Sequence, residues 1–124
     1  MDVTKTKQAA MNPRAGKLSG SAKPEAVWRN TIVHGDALEQ MSGMPRNHVD
    51  LIITSPPYFQ QRDYGPAGQV GQEPTSEAYV QRLVEVFAAA REALKESGSL
   101  WLVLGDKYVE NQLQGLPWRV AIAL

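Results

Sequence analysis

Residues 55–58 read Ser-Pro-Pro-Tyr and close an apolar run from Val49 to Thr54. Two consecutive prolines fix two φ angles, remove two backbone donors and hold the residue before each of them extended. A strand that meets them cannot continue its ladder and ends in a stiff rim. Backbone carbonyls and the Ser55 hydroxyl on such a rim point outward as acceptors. Tyr58 adds a flat ring able to stack on a planar group. Acceptors beside an aromatic face suit a flat ligand that bears an amine. Two more polar turns, Gly35-Asp36 and Gly105-Asp106, follow apolar runs in the same way. In open α/β sheets, ligands gather at the carboxyl ends of the strands.

The elements that must position these turns follow from periodicity. Thr31-Ile32-Val33-His34 is a short predicted strand, and Ala37 to Met41 a helical turn or two that Met44-Pro45-Arg46-Asn47 breaks. Val49 to Thr54, apolar on consecutive positions, predicts a strand buried on both faces, as in a parallel sheet. Residues 59–74 hold three glycines and two prolines and read as a long loop, a feature that in compact domains is functional or mobile. Thr75 or Ser76 caps a helix, with Glu77 favoured in its first turn. Tyr79, Val80, Leu83, Val86, Phe87, Ala90 and Leu94 form one apolar stripe, so the helix should run to about Lys95. Ser97-Gly98 should stop it, and Leu100 to Leu104 form a third strand. Trp101 and Trp118 read as packing residues. Pro117 opens a further helix. Strand, connection, strand, helix, strand is an α/β grammar with a parallel sheet of about three strands.

The chain has 124 residues, one modest domain in length, and its 13 basic and 13 acidic side chains cancel. The charge is uneven. Residues 1–30 hold Lys5, Lys7, Arg14, Lys17, Lys23 and Arg29 against Asp2 and Glu25. Residues 1–27 therefore read as a basic tail, either solvated and disordered or an arm that touches nucleic-acid phosphates. The absence of cysteine excludes disulfides, thiol nucleophiles and thiolate metal sites. Two histidines, His34 and His48, are too few for a histidine metal site. No apolar run reaches membrane-spanning length, and no apolar core follows the N-terminal lysines as in a secretory signal.

Thr-Ser-Pro-Pro-Tyr at 54–58 resembles motif IV of the AdoMet-dependent amino-methyltransferases of DNA, where Asp, Asn or Ser precedes Pro-Pro-Tyr/Phe. The Ser form is similar to the cytosine-N4 enzymes; Asp or Asn is usual in the adenine-N6 enzymes. HGDALEQM at 34–41, VDLIITSPPY at 49–58, GQVGQEPTSEAYV at 68–80, SGSLWLVLGDKY at 97–108 and GLPWRVA at 115–121 follow one another as they do in enzymes of the restriction-modification type. The likeness covers residues 31–124, nearly everything outside the tail.

The resemblance implies a partial Rossmann-like AdoMet methyltransferase sheet and double-stranded DNA as partner, with a cognate restriction endonuclease as a further one. It implies that the Ser55 hydroxyl and Pro56 carbonyl accept from the amine of a flipped base, with Pro57 stiffening the rim and Tyr58 stacking on the ring. Asp36 is similar to the acidic residue that accepts from the cofactor's adenine amine, and capping the short helix at Ala37 explains it equally. Asp106 either lines the pocket or ends the strand. Arg62 is either a phosphate contact in a loop near the DNA or a solvated arginine. AdoMet is the implied co-substrate, with no metal, and the implied setting is the cytoplasm of a prokaryotic or phage-type system. Motif IV comes early and no AdoMet-binding glycine loop precedes it, an order similar to the permuted group of the family. Residues 28–124 are thus expected to be the N-terminal, catalytic-motif part of a truncated domain, inactive alone and with apolar sheet surface uncovered. Adenine-N6 methylation, or a non-catalytic nucleic-acid-binding remnant, are the alternatives.

Overall fold

The computed structural model describes residues 28–124; the basic tail expected at 1–27 lies outside them. In chain order the elements are α1 (Ala37–Ser42), β1 (Val49–Thr54), α2 (Ser76–Ala93), β2 (Leu94–Leu102), a hairpin of β3 (Tyr108–Val109) and β4 (Gln112–Leu113), and α3 (Leu116–Ala123).

The organising element is α2, and the sequence shows why it forms. The Thr75 hydroxyl accepts from the Ala78 amide at 3.1 Å, Glu77 lies in the first turn and Arg91 in the last. Such a cap contributes about 1 kcal/mol, and the end charges complement the helix dipole. Tyr79, Leu83, Val86, Phe87, Ala90 and Ala93 are buried along one face. Phe59, Leu116 and Val120 join that face to make the core, with Met41, Ile52, Val70, Val80, Leu102 and Leu104 packed around it. Each fully buried large side chain stabilises the fold by roughly 1.5–3 kcal/mol.

β1 and β2 pair in parallel, Ile52 beside Leu100, Ile53 beside Trp101 and Thr54 beside Leu102. The crossover through α2 is the connection that parallel strands require. β2 departs from expectation at its start. The helix ends at Ala93, not near Lys95, and Leu94 already pairs with Val49. A register shift follows, so that Leu51 pairs with Ser99. Ser97-Gly98 therefore lies within the strand and does not terminate the helix. The His48 amide bonds the Ala93 carbonyl at 2.8 Å, and Lys95 pairs with Asp50 at 2.7 Å. These links tie the start of β1 to the helix end and favour extension over another helical turn.

The expected three-stranded parallel sheet has two strands among the described residues. Residues 31–34 do not form a strand, and Ile32 is 98% exposed. A short segment becomes a strand only when a ladder satisfies its backbone, and no described strand lies beside this one. The polar stretch after Asp106 folds into the β3–β4 hairpin, which turns through Glu110 and Asn111, both at positive φ.

Burial is one-sided. Ile52 and Leu102 face the core, while Leu51, Ile53 (66% exposed) and Val103 face out. Trp101, expected in the core, is 65% exposed, because α2 covers only the other face. Trp118 is 72% exposed, because α3 seats Leu116 and Val120 on α2 and turns position 118 away. No described helix is long and apolar enough to cross a membrane.

Candidate active site

β1 delivers the chain to an exposed Ser55 at its carboxyl end. Ser55 Oγ donates to the Tyr58 hydroxyl across 3.3 Å, a long contact for two hydroxyls. Ser55, Pro56, Pro57, Tyr58, Gln61, Arg62 and Tyr64 line an open pocket of about 280 Å³. The rim expected at this strand end is therefore beside a cavity, and the Arg62 position opens onto it.

Three contacts fix the rim. The Tyr58 ring lies against Gly105, where a Cβ would stand 2.9 Å from ring carbons Cδ2 and Cε2. Parallel pairing of Thr54 with Leu102 brings the two strand ends together, so Gly105 supplies the floor on which the ring rests. The second contact is Gly71, buried at φ +97°, where a Cβ would come 3.0 Å from the Tyr58 carbonyl and 3.1 Å from Pro57 Cβ. Both the left-handed φ and the close approach call for glycine. Gly71 also accepts from the Gln60 amide at 2.6 Å and donates to Glu73 Oε2 at 2.8 Å.

The third contact corrects an expectation. The Pro57 carbonyl does not point outward; it accepts from the Tyr79 hydroxyl at 3.0 Å. Tyr79 is wholly buried, and burial pushes its phenol well above the usual range, helped by nearby Glu73 and Tyr58. It therefore stays protonated and remains a donor. The Pro56 carbonyl takes no hydrogen bond from any described residue.

The loop at 59–74 is stapled rather than loose. The Arg62 carbonyl accepts from Gln72 Nε2 at 2.9 Å and Gln69 Nε2 at 3.3 Å, while Lys107 Nζ bonds the Gln60 carbonyl at 3.3 Å and sits 5.4 Å from the Phe59 ring centroid. Gly65 and Gly68, also at positive φ, line a separate open groove with Arg82 and Glu85.

The two aspartates take structural positions. Asp36 Oδ1 accepts from the Glu39 amide at 3.0 Å and caps α1, and Oδ2 lies 3.8 Å from Arg82 Nη2. Asp36 is not among the residues lining the Ser55 pocket. Asp106 Oδ1 accepts from the Lys107 amide at 2.8 Å and from the Leu116 amide at 3.1 Å, holding the start of α3. Gly115 has no side chain to cap that helix, so Asp106 does so from a distance. Among the described residues no group of three or more His, Asp or Glu side chains could hold a metal ion.

Tyr79, Gly71 and Lys107 were not legible as site residues, whereas Gly105 stood in one of the polar turns at a strand end. Tyr79 was hidden by its place in an apolar stripe, and the hydroxyl it carries was the available signal.

A family model described as DNA methylase matches residues 49–124. The type II methyltransferase M.SmaI of Serratia marcescens is 42% identical over 88 residues, which cover 71% of this chain and 29% of the relative. The type II methyltransferase M.XycI of Xanthomonas campestris pv. cyanopsidis is 33% identical, with 82% of this chain and 44% of the relative covered. The DNA adenine methyltransferase YhdJ of Escherichia coli (strain K12) is 31% identical, with 71% and 26% covered. The chain belongs to this DNA methylase family, the N4-cytosine/N6-adenine DNA methyltransferases. It spans less than half the length of each of these relatives.

Proposed function

We propose that this chain carries the amine-accepting site of a DNA methyltransferase that moves a methyl group from AdoMet to the N4 amine of a cytosine flipped out of the duplex. The observation that carries the reading is the rim after β1. An exposed Ser55 and an uncommitted Pro56 carbonyl stand beside the Tyr58 ring at the mouth of an open pocket.

The exocyclic amine is a poor nucleophile because its lone pair is delocalised into the ring. Two acceptors aimed at its hydrogens localise that pair on nitrogen and stabilise the positive charge that develops as the new bond forms. Acceptors held rigid by the prolines do so without reorganising. Tyr58 stacks on the extruded base, a contact worth about 1–3 kcal/mol. Arg62, which lines the pocket, is the residue to meet a phosphate on this reading.

AdoMet, when bound, supplies an electrophilic methyl group on a sulfonium. On this reading Asp36 keeps the role toward its adenine amine that the resemblance implies, although Oδ1 caps α1 through the Glu39 amide and Oδ2 is ion-paired with Arg82 at 3.8 Å. The cytoplasm, where such DNA lies, and a cognate endonuclease partner belong to the same reading. The 124 residues alone are not expected to turn over, because one sheet face is uncovered and the matched relatives are far longer.

The test is nucleoside mass spectrometry of DNA from cells expressing the protein from its own gene. N4-methylcytosine that disappears with Ser55→Ala supports the proposal. N6-methyladenine would favour the second reading, to which the similarity with an adenine methyltransferase points. DNA binding without AdoMet binding would favour a non-catalytic module.

A further inference from the structure

The Ser-Pro-Pro rim has a mechanical problem that its sequence creates. Pro56 and Pro57 lack N–H groups, so neither can be anchored through a backbone donor. Only their carbonyls remain as handles, and on the proposed reading the Pro56 carbonyl must stay open to the incoming amine. Pro57 is left as the one proline carbonyl that can tether the rim to the core. That carbonyl accepts from the Tyr79 hydroxyl at 3.0 Å.

Tyr79 is itself held on every side. It is completely buried, its ring tilts against Phe59 with centroids 5.5 Å apart, and its amide bonds the Thr75 carbonyl at 3.1 Å. The turn just before it is clamped by Arg119, which bonds the Ser76 hydroxyl at 2.9 Å and Glu77 Oε1 at 2.7 Å. An immobile donor therefore sets the plane of the Pro57–Tyr58 peptide. Through Pro57, whose ring locks φ, that plane constrains the Pro56 carbonyl before it, and it carries the Tyr58 ring after it. A core role alone would be met by phenylalanine, which fills the same space without the hydroxyl.

We propose that Tyr79 is a positioning residue for methyl transfer, aiming the Pro56 carbonyl and the Tyr58 ring through its hydrogen bond to Pro57. The assignment rests on the rim being the methyl-transfer site.

The test is Tyr79→Phe in the protein expressed from its own gene, read in two ways. In single-turnover methylation the rate of transfer is expected to fall about tenfold, the scale of one lost positioning hydrogen bond, while AdoMet affinity holds. An unchanged rate with only a lowered melting temperature would make the bond structural and overturn the proposal. The second reading needs no activity. With 3-fluorotyrosine incorporated, the Tyr58 fluorine resonance is expected to be one sharp line in the parent and broadened or split in Tyr79→Phe. An unchanged line would also overturn the proposal. Should the parent transfer no methyl group, the methyl-transfer reading fails while the fluorine spectrum still decides whether Tyr79 holds the rim.

Discussion

The ring of Tyr58 rests on the backbone of Gly105, with no space between them for a methyl group. Gly105→Ala is expected to lift the ring from its floor and weaken stacking on an extruded base by up to about 1–3 kcal/mol. The check is fluorescence of 2-aminopurine at the target position, which reports the flipped base. Quenching equal to the parent's would show that the ring had not moved.

Ser55 is exposed, and the one hydrogen bond its side chain makes among the described residues is the long contact to Tyr58. Ser55→Ala should therefore leave the melting temperature unchanged and lower the methylation rate by roughly 10²–10³, the effect of removing one fixed polar group from a developing charge. Melting and rate measured on the same preparation separate the two quantities. Full activity would remove Ser55 from the chemistry.

Gly71 combines φ +97° with a neighbour 3.0 Å from any added Cβ. Gly71→Ala is expected to cost about 1–3 kcal/mol through backbone strain and to loosen the loop at 59–74. Limited proteolysis should then cut near Arg62, an exposed site whose carbonyl the Gln69 and Gln72 side chains hold in the parent.

Acid should act on the contact between α3 and α2. The Glu77 carboxyl lies below its ordinary value of 4.5, first through its own backbone amide and then through Arg119. A depressed carboxyl contributes stability above its unfolded value and loses it as pH falls through the folded one. Amide protection factors in α3, taken relative to intrinsic exchange at each pH, should therefore be steady near neutrality and fall below about pH 4.5. Glu77→Gln should flatten that dependence.

Ile53 and Trp101 pair side by side on the uncovered sheet face, flanked by Leu51 and Val103. Contiguous apolar surface of this kind drives association. The chain by itself should self-associate on gel filtration, and the double change Ile53→Thr, Trp101→Lys should shift it toward monomer without unfolding it.

What the sequence disclosed followed from local rules. The stripe from Tyr79 to Ala90 announced α2, Thr75 its cap, and the diproline the end of β1. Where a second segment decides, the sequence was mute. Thr31 to His34 has strand composition, yet a strand also needs a partner. Trp101 has core composition, yet burial depends on which face a helix covers. Likewise Asp106 reads equally as a pocket acid or the end of a strand until its carboxylate is seen to accept from the Leu116 amide. The inward turn of the Pro57 carbonyl was invisible because its donor lies 22 residues away.

The parallel pairing of β1 with β2 also sets an order of events in time. Lys107 and Gln60, whose bond joins the two strand ends, are separated by 47 positions. A closure of that span is slow compared with forming a helix. During synthesis, Ser55 emerges from the ribosome long before the glycine floor beneath its neighbour has been made. Early folding intermediates should thus contain a formed α2 and a shapeless rim, leaving the half-made chain without a finished pocket at Ser55.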